Sequence, residues 1–548
     1  MNEEIKHLGE VFEPAVKNFP NKLALKKETR AYTFAELKTA VVNLKNHLLG
    51  LGLKRGDKFS VYGDNSPEWA IGYLGIVRAG LVAVPLDYMS SEAEMLHILR
   101  NGEARGIIVA DNYLEKIDAV KGELPNLKHI IPMSNLKDLK TTKERSAGEI
   151  DPDSVAVLIF TSGTTGTSKA VMLSHNNIIS NMRAADQVIH IDENDTMVSI
   201  IPMHHTFEGT CGFLFPLFKG TAVYYPPSLK PTDLLATMKE AQVSCLIAVP
   251  LLFEKFVGAV QRKVTSAGLV KKAMFNTISG IGSVFKFLRK PLFARVRKEM
   301  GLGNIRIAVA GGAALTEKVA HALELMGIPI LQGYGLTETS PVLSVSPLEK
   351  PKVASVGILV PGVEGKIVNP DENGVGEIAV RGSNVMLGYY KNQKATDEVL
   401  KDGWFYTGDL GYFDSEGYLY ITGRKKSIIV TQTGKNIYPE ELEEKLVKSM
   451  WINEVLVVPR IDPQTKKESI VALIYPNYEL LEQYSAEKGI TMTEEEVKAI
   501  YKEEINQVNE GLPAYKKITQ FEIRDEEFPK TTTKKIKRHL FVEMGVKV

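Results

Sequence analysis

The chain has 548 residues, 44% hydrophobic and 24% charged, with a formal net charge of +1. That length exceeds what one hydrophobic core serves and implies several domains or subdomains, while the composition is that of an ordinary soluble globular protein. The near-zero charge excludes a global field for nucleic acid, and no apolar run approaches the roughly 18 residues of a membrane span.

The first residues, MNEEIKHLGE, are polar and acidic, unlike a secretory leader. Cys211 and Cys245 stand in apolar contexts and read as reduced core thiols, so neither a disulfide nor a metal site is expected and the compartment reads as cytoplasmic. From residue 31, helical patterns alternate with short apolar runs. Residues 32–53 are amphipathic at helical spacing and close on Gly52, whereas 57–64 (DKFSVYGD) and 80–87 (GLVAVPLD) read as strands. The alternation recurs around LIFTSG, TMVSIIPM, TAVYY, CLIAVP, IRIAVAGG and IPILQGYG. Strand–helix–strand order with apolar strands predicts parallel sheets covered by helices. From about 355 to 425 short strands with Gly and Asn turns predict a small β-rich subdomain. After Arg424 a helix, two or three strands and a second long helix (493–510) predict a compact α+β unit.

The most informative stretch is FTSGTTGTSKAVMLSH, Phe160 to His175. A strand-type run, Val155 to Phe160, leads into small hydroxyl and glycine residues, and a helical pattern follows His175. Such a loop offers a phosphate many N–H and O–H donors with no bulky side chain in the way, and Lys169 adds a cation. It is not a Walker loop, which needs Gly directly before the Lys and Ser or Thr after it; here Ser168 and Ala170 flank Lys169. The other reading, a flexible Ser/Thr linker, sits poorly between a buried-type strand and a patterned helix.

Four more motifs follow in order: GYGLTET (333–339), YTGDLG (406–411), GRKKSIIVTQTGKNIYPEELE from Gly423, and FPKTTTKKIKR (528–538). Together with the 160–175 loop they resemble the adenylate-forming superfamily, in particular its long-chain fatty-acid–CoA ligase branch. The resemblance runs from about residue 10 to 540. It implies an α/β protein: a large N-terminal domain of stacked parallel and mixed sheets (1–423, with the β-rich subdomain at about 340–423), then a mobile α+β C-terminal domain (424–548). It implies an ATP- and Mg²⁺-dependent ligase that converts a medium- or long-chain fatty acid to acyl-AMP and then to acyl-CoA. A ligase that loads an acyl-carrier protein, or a silent nucleotide-binding paralogue, are the alternatives.

Site residues follow by motif. Thr161, Ser162, Gly163, Thr164, Thr165, Gly166, Thr167 and Lys169 would hold the β- and γ-phosphates. Tyr334 and Gly335, with Gly311, Gly312 and Ala313, would line the adenine pocket; Thr337 offers a hydroxyl to the α-phosphate and Glu338 a hard oxygen for Mg²⁺. Asp409 would accept from the ribose hydroxyls, with Arg424 as a second contact. The resemblance makes Lys426 the hinge, Lys535 the catalytic lysine (Lys534 the alternative) and Gly434 the border of the coenzyme A channel.

His204 and His205, in PMHHTFEGTCGFLFPLF, would wall the acyl pocket; their spacing lacks metal-ligand partners, and core packing is the rival reading for His204. Residues 251–303 resemble the helical insert of the fatty-acid branch. Between Arg262 and Lys298 there is no acid, while Lys271, Lys272, Lys286, Arg289, Lys290, Arg295 and Arg297 interleave with Phe and Leu. That pattern suits peripheral contact with the anionic inner face of a membrane, or equally a solvated helix face. The sequence sets no expectation for chain length or oligomeric state.

Overall fold

The computed structural model describes residues 5–141, 143–161, 168–265, 279–280, 285–430, 436–461, 468–490, 492–530 and 536–542. Two compact units emerge: Met1–Gly365 with Val380–Phe405, and Lys366–Ala379 with Tyr406–Val548.

The first unit is built on two large sheets. One runs, in spatial order, Ile358–Leu359, Val342–Val345, Ile330–Gly335, Ile307–Ala310, Cys245–Ala248, Thr196–Val198, Ala222–Tyr224, Leu23–Lys27, Arg30–Thr33. Its middle is parallel and its two edges are closed by antiparallel strands. The other runs Gly388–Tyr389, Lys169–Ser174, Val155–Thr161, Val82–Leu86, Lys58–Tyr62, Ala104–Val109, His129–Pro132, parallel from Val155–Thr161 onward. Strands buried on both faces must be apolar throughout, which is why Val82–Leu86 and Ile307–Ala310 read as unbroken hydrophobic runs.

Helices cover these sheets where the sequence predicts them. Phe34–Gly50 starts in a capping box, Thr33 with Glu36, and buries Phe34, Leu37, Val41, Leu44 and Leu48 at helical spacing. It packs on Pro67–Arg78, which is buried along nearly its whole length. His175–Val188 begins at Ser174, whose hydroxyl accepts from the Asn177 amide. One element differs from the sequence reading: Lys169–Ser174, between the Gly/Thr loop and this helix, is a strand. Its apolar residues pair in antiparallel register with Val155–Thr161, so the loop is the tip of a hairpin.

In the second unit a sheet of Ile452–Ile461, Glu468–Pro476 and Gln520–Ile523 is covered by Pro439–Val447 and Glu494–Asn509. Their apolar faces meet in one core, Leu442, Leu446, Val457, Ile474, Tyr501 and Ile505. The boundary between the units falls within the strand-rich region, inside Gly376–Gly382 and Trp404–Phe413.

Candidate active site

Hairpin register sets the first part of the site. Thr161 lies opposite Lys169 where the hairpin opens, and the Thr161 hydroxyl donates to the Lys169 carbonyl at 3.3 Å. The tip, 162–167, with Ser162, Gly163, Thr164, Thr165, Gly166 and Thr167, lies outside the described residues. The short strand Gly388–Tyr389 pairs with Met172 and Val171 and brings Tyr389 beside this opening. Gly388 has φ 135°, and a Cβ there would stand 2.8 Å from Thr396 Cγ2, so only glycine lets the strand dock.

Tyr389 joins two predicted residues. Its ring lies 4.8 Å from Lys169 Nζ, and its hydroxyl donates to Glu338 Oε1 at 2.8 Å. Glu338 sits on a single 3-10 turn, Thr337–Thr339, and its carbonyl accepts from the Met386 amide at 2.8 Å. The turn is held from beneath. Asn181 donates to the Val342 carbonyl at 2.7 Å and accepts from the Val342 amide, while Asn384 donates to the carbonyls of Thr339 and Val342. Ser340, at φ 69°, donates its hydroxyl to the Asn384 carbonyl. A non-glycine residue in this left-handed region costs of order 1–3 kcal/mol and persists where its surroundings fix it. Thr339 and Ser340 are buried, whereas Tyr334 through Glu338 keep partial exposure.

Parallel register carries the adenine candidates out of the same sheet end. Ala310 pairs with Gln332, so the Gly311–Ala313 turn and Tyr334 both emerge at the carboxyl ends of adjacent strands, where open α/β sheets bind ligands. Gly311 is buried under Phe207, whose ring would stand 2.8 Å from a Cβ; Gly312 (φ 84°) and Ala313 are exposed. Gly335 has a packing reason of its own: a Cβ would stand 1.8 Å from the Pro341 carbonyl oxygen.

Beside this lies a narrow cleft whose lining includes Tyr73, Ile159, Ile178, His204, His205 and Leu214. The π-helical stretch Phe207–Leu214 forms one wall, with Phe213 edge-on to Trp69 and Tyr73. Thr210 of that stretch donates to the Ser340 carbonyl at 3.0 Å, fastening the cleft to the Glu338 turn. The rings of His204 and His205 lie 4.1 Å apart. Burial alone pushes His204 down to about 3, so it is a neutral imidazole.

In the second unit, Asp409 on Trp404–Phe413 lies directly across from Arg424 at the end of Leu419–Arg424. Arg424 Nε meets Asp409 Oδ1 at 2.7 Å; the carboxylate is nearly buried and the guanidinium half-exposed. The Asp409 amide donates to the Thr407 hydroxyl, which itself donates to the Ile378 carbonyl, so the strand bend at Gly408 is pinned. Lys426 is exposed on the following 3-10 turn, next to Lys425, which pairs with Glu377 at 2.7 Å.

The AMP-binding enzyme family matches residues 12–390, and the AMP-binding enzyme C-terminal domain matches 426–544. The chain belongs to the AMP-binding enzyme family. This AMP-binding enzyme is a ligase, 28% identical over 506 residues to a long-chain-fatty-acid–CoA ligase of Escherichia coli O157:H7, with 83% of each chain covered. It is 26% identical over 549 residues to AEE15 of Arabidopsis thaliana, a chloroplastic long-chain-fatty-acid–acyl-carrier-protein ligase, covering 81% of this chain and 75% of that one. The crystal structure of the anthranilate CoA ligase AuaEII with anthranoyl-AMP superposes with TM-score 0.80 at 23% identity, covering 97% and 96% of the two chains, a likeness of fold.

Lys534, Lys535 and Gly434 of this AMP-binding enzyme lie outside the described residues. Their neighbours are anchored: Lys530 pairs with Glu454, and Arg538 meets Glu443 at 2.6 Å. Lys530 is therefore a structural cation. The basic stretch also needs correction at Arg297, which is 1% exposed and donates to the carbonyls of Leu302, Gly303, Ile305, Met326 and Gly327. It braces the turns around its helix and faces no membrane. Phe287 (77% exposed), Phe285 and Arg295 do face outward. No helix among the described residues is long and apolar enough to cross a membrane. Both cysteines are buried and free.

Sequence reasoning missed Tyr389, Asn181 and Asn384. Asn177 and Asn181, four apart on an otherwise apolar helix face, were the available signal: amides on a buried face must find backbone partners. Tyr389 carried none, because its role arises from strand pairing.

Proposed function

We propose that this enzyme couples a medium- to long-chain fatty acid to ATP, giving acyl-AMP and diphosphate, then passes the acyl group to the thiol of coenzyme A with release of AMP. One observation supports this above all: Tyr389 joins Glu338 to Lys169, and the same turn is fastened to an apolar cleft through Thr210 and Ser340. The carboxylate attacks the α-phosphorus, an O–P bond forms, and the bond to diphosphate breaks. Two anions must meet, so the chain's task is charge neutralisation and in-line positioning.

In this reading the 161–167 loop and Lys169 take the β- and γ-phosphates. Tyr334 stacks on adenine beside Gly311–Ala313, and Thr337 donates to the α-phosphate. The Asp409–Arg424 pair takes the ribose hydroxyls. Lys535 meets the charge that develops on the α-phosphate, Lys426 is the hinge on which the C-terminal domain swings, and Gly434 lets the pantetheine arm pass. Glu338 suits Mg²⁺, which takes one or two carboxylates with phosphate oxygens and water in preference to an all-protein cage. No group of three or more His, Cys, Asp or Glu able to hold a metal occurs among the described residues. When bound, the ion would supply charge neutralisation of the triphosphate. His204 and His205 wall the cleft, and a neutral His204 suits an apolar tail.

The name of the AEE15 relative favours a second acceptor, an acyl-carrier protein. The test is diphosphate release from ATP with fatty acids from acetate to oleate, followed by thioester formation with coenzyme A and with acyl-carrier protein. No release at any chain length would leave a nucleotide-binding paralogue. Peripheral lipid contact through Phe285, Phe287 and Arg295 belongs to the same reading, and cosedimentation with anionic against neutral liposomes decides it.

A further inference from the structure

Glu208, the second residue of the π-helical stretch Phe207–Leu214, is 1% exposed, behind the neighbours Thr206, Gly209 and Thr210 that line the cleft. Its Oε1 accepts from the Ser199 hydroxyl at 2.5 Å, and the Ile201 amide also donates to the carboxyl. Its Oε2 is buried without a hydrogen-bond partner among the described residues. Gly212, one turn on, makes the room, since a Cβ there would stand 2.5 Å from Glu208 Cδ.

Ser199 is itself held. Asn65 donates to the Ser199 hydroxyl and to the Ile201 carbonyl, each at 2.8 Å, and accepts from the Met203 amide at 2.9 Å. Glu208, Ser199 and Asn65 thus clamp the segment that delivers His204 and His205 to the cleft. The titratable groups around the carboxyl are His204 before it, Cys211 on its own helix and Tyr225 from the neighbouring sheet. All three are held neutral by burial. Glu68, which reaches Tyr225, is paired with Arg30 at 2.9 Å. With no cation beside it among the described residues, the buried carboxylate cannot recover its lost hydration, and protonation is the cheaper state. Burial pushes Glu208 up to about 8. The Tyr225 hydroxyl is also buried without a hydrogen-bond partner among the described residues.

We propose that Glu208 is a positioning residue that works as a neutral carboxylic acid, fixing the Ser199–Thr206 segment that delivers His204 and His205 to the cleft. This rests on the fatty-acid reading of the same cleft. An ionised Glu208 would be a buried charge without a counter-ion and would loosen the segment that seats His204 and His205, so the KM for fatty acid should rise above about pH 8 while the KM for ATP holds.

Steady-state diphosphate release by wild type, Glu208→Gln and Glu208→Ala, from pH 6.5 to 9, tests this with both KM values. Gln keeps the shape and neutrality: its KM for fatty acid should match wild type at pH 6.5 and show no alkaline rise. Ala should raise that KM about tenfold, the usual scale for stranding buried partners, with the ATP value little changed. An alkaline rise that persists in Glu208→Gln, or Gln as damaging as Ala, overturns the proposal. So does an unchanged KM in Glu208→Ala. A protonated-carboxyl infrared band at pH 6.5, present in wild type and missing in Glu208→Gln, is expected whether or not Ala folds; its absence from wild type also overturns the proposal. Wild type that releases no diphosphate with any acid would instead remove the fatty-acid reading.

Discussion

Tyr389 illustrates how one hydroxyl can organise charge. It touches Lys169 through its ring and Glu338 through its oxygen, so the cation and the carboxylate keep a fixed separation. A hydrogen bond to a charged group contributes about 1.5–3 kcal/mol, so Tyr389→Phe should lower kcat/KM for Mg²⁺–ATP about tenfold while leaving the melting temperature near wild type. Loss of stability without loss of ATP affinity would instead make Tyr389 a packing residue. Arg297 is the opposite case. Its guanidinium satisfies five carbonyls, so Arg297→Ala should cost about 2–4 kcal/mol in urea unfolding, and Arg297→Lys should recover little because a point ammonium cannot span the same fork. A wild-type urea midpoint for Arg297→Ala would contradict the bracing role.

Elements set these residues in place through register. Pairing of Val155–Thr161 with Lys169–Ser174 makes the Gly/Thr loop a hairpin tip, and docking of Gly388–Tyr389 on the same strand adds the Tyr389 ring. The docking depends on a backbone that only glycine adopts freely. Gly388→Ala should therefore destabilise the unit by about 1–3 kcal/mol and weaken ATP binding as Tyr389 lifts away, read by calorimetric titration beside thermal melting. Unchanged binding would separate strand docking from the site. The helix His175–Val188 and the loop carrying Asn384 act likewise on the Glu338 turn, with amides substituting for backbone partners that the irregular turn lacks.

At the scale of the whole molecule, buried titratable groups give stability a two-sided pH dependence. His175 and His204 are held down to about 3 by burial, so the unfolded chain gains protons first and stability falls as pH drops from 6.5 towards 3. Glu208, raised from 4.5 to about 8, keeps a proton that the unfolded chain has lost, so stability falls as pH rises across that window. Glu208→Gln should flatten the second slope in denaturant titrations between pH 5 and 8, and an unaltered slope would contradict the assignment. The two half-reactions offer the other test at this scale. Lys535→Ala should reduce acyl-AMP formation on the order of 100-fold while sparing thioester formation from supplied acyl-AMP. A bulky residue at Gly434 should do the reverse; equal loss of both steps in both variants would remove the swing.

Much of this was written in local pattern. Apolar runs alternating with amphipathic helices predicted the parallel sheets, and small residues before Lys169 marked a candidate phosphate loop, because hydrophobic period and backbone freedom are properties of short segments. The motifs GYGLTET, YTGDLG and the run from Gly423 marked Glu338, Asp409 and Arg424 through the resemblance, while the pairing of Asp409 with Arg424 came from strand register. What the sequence alone could not decide was which distant groups share a surface. Tyr389 meets Glu338 across 51 positions, Asn181 meets Val342 across 161, and Asn65 meets Met203 across 138. Arg297 looked like a surface cation until packing enclosed it, and nothing in the sequence marked the burial of Glu208. Charge state and partnership depend on the dielectric and on neighbours brought in by folding, so tertiary structure decided them.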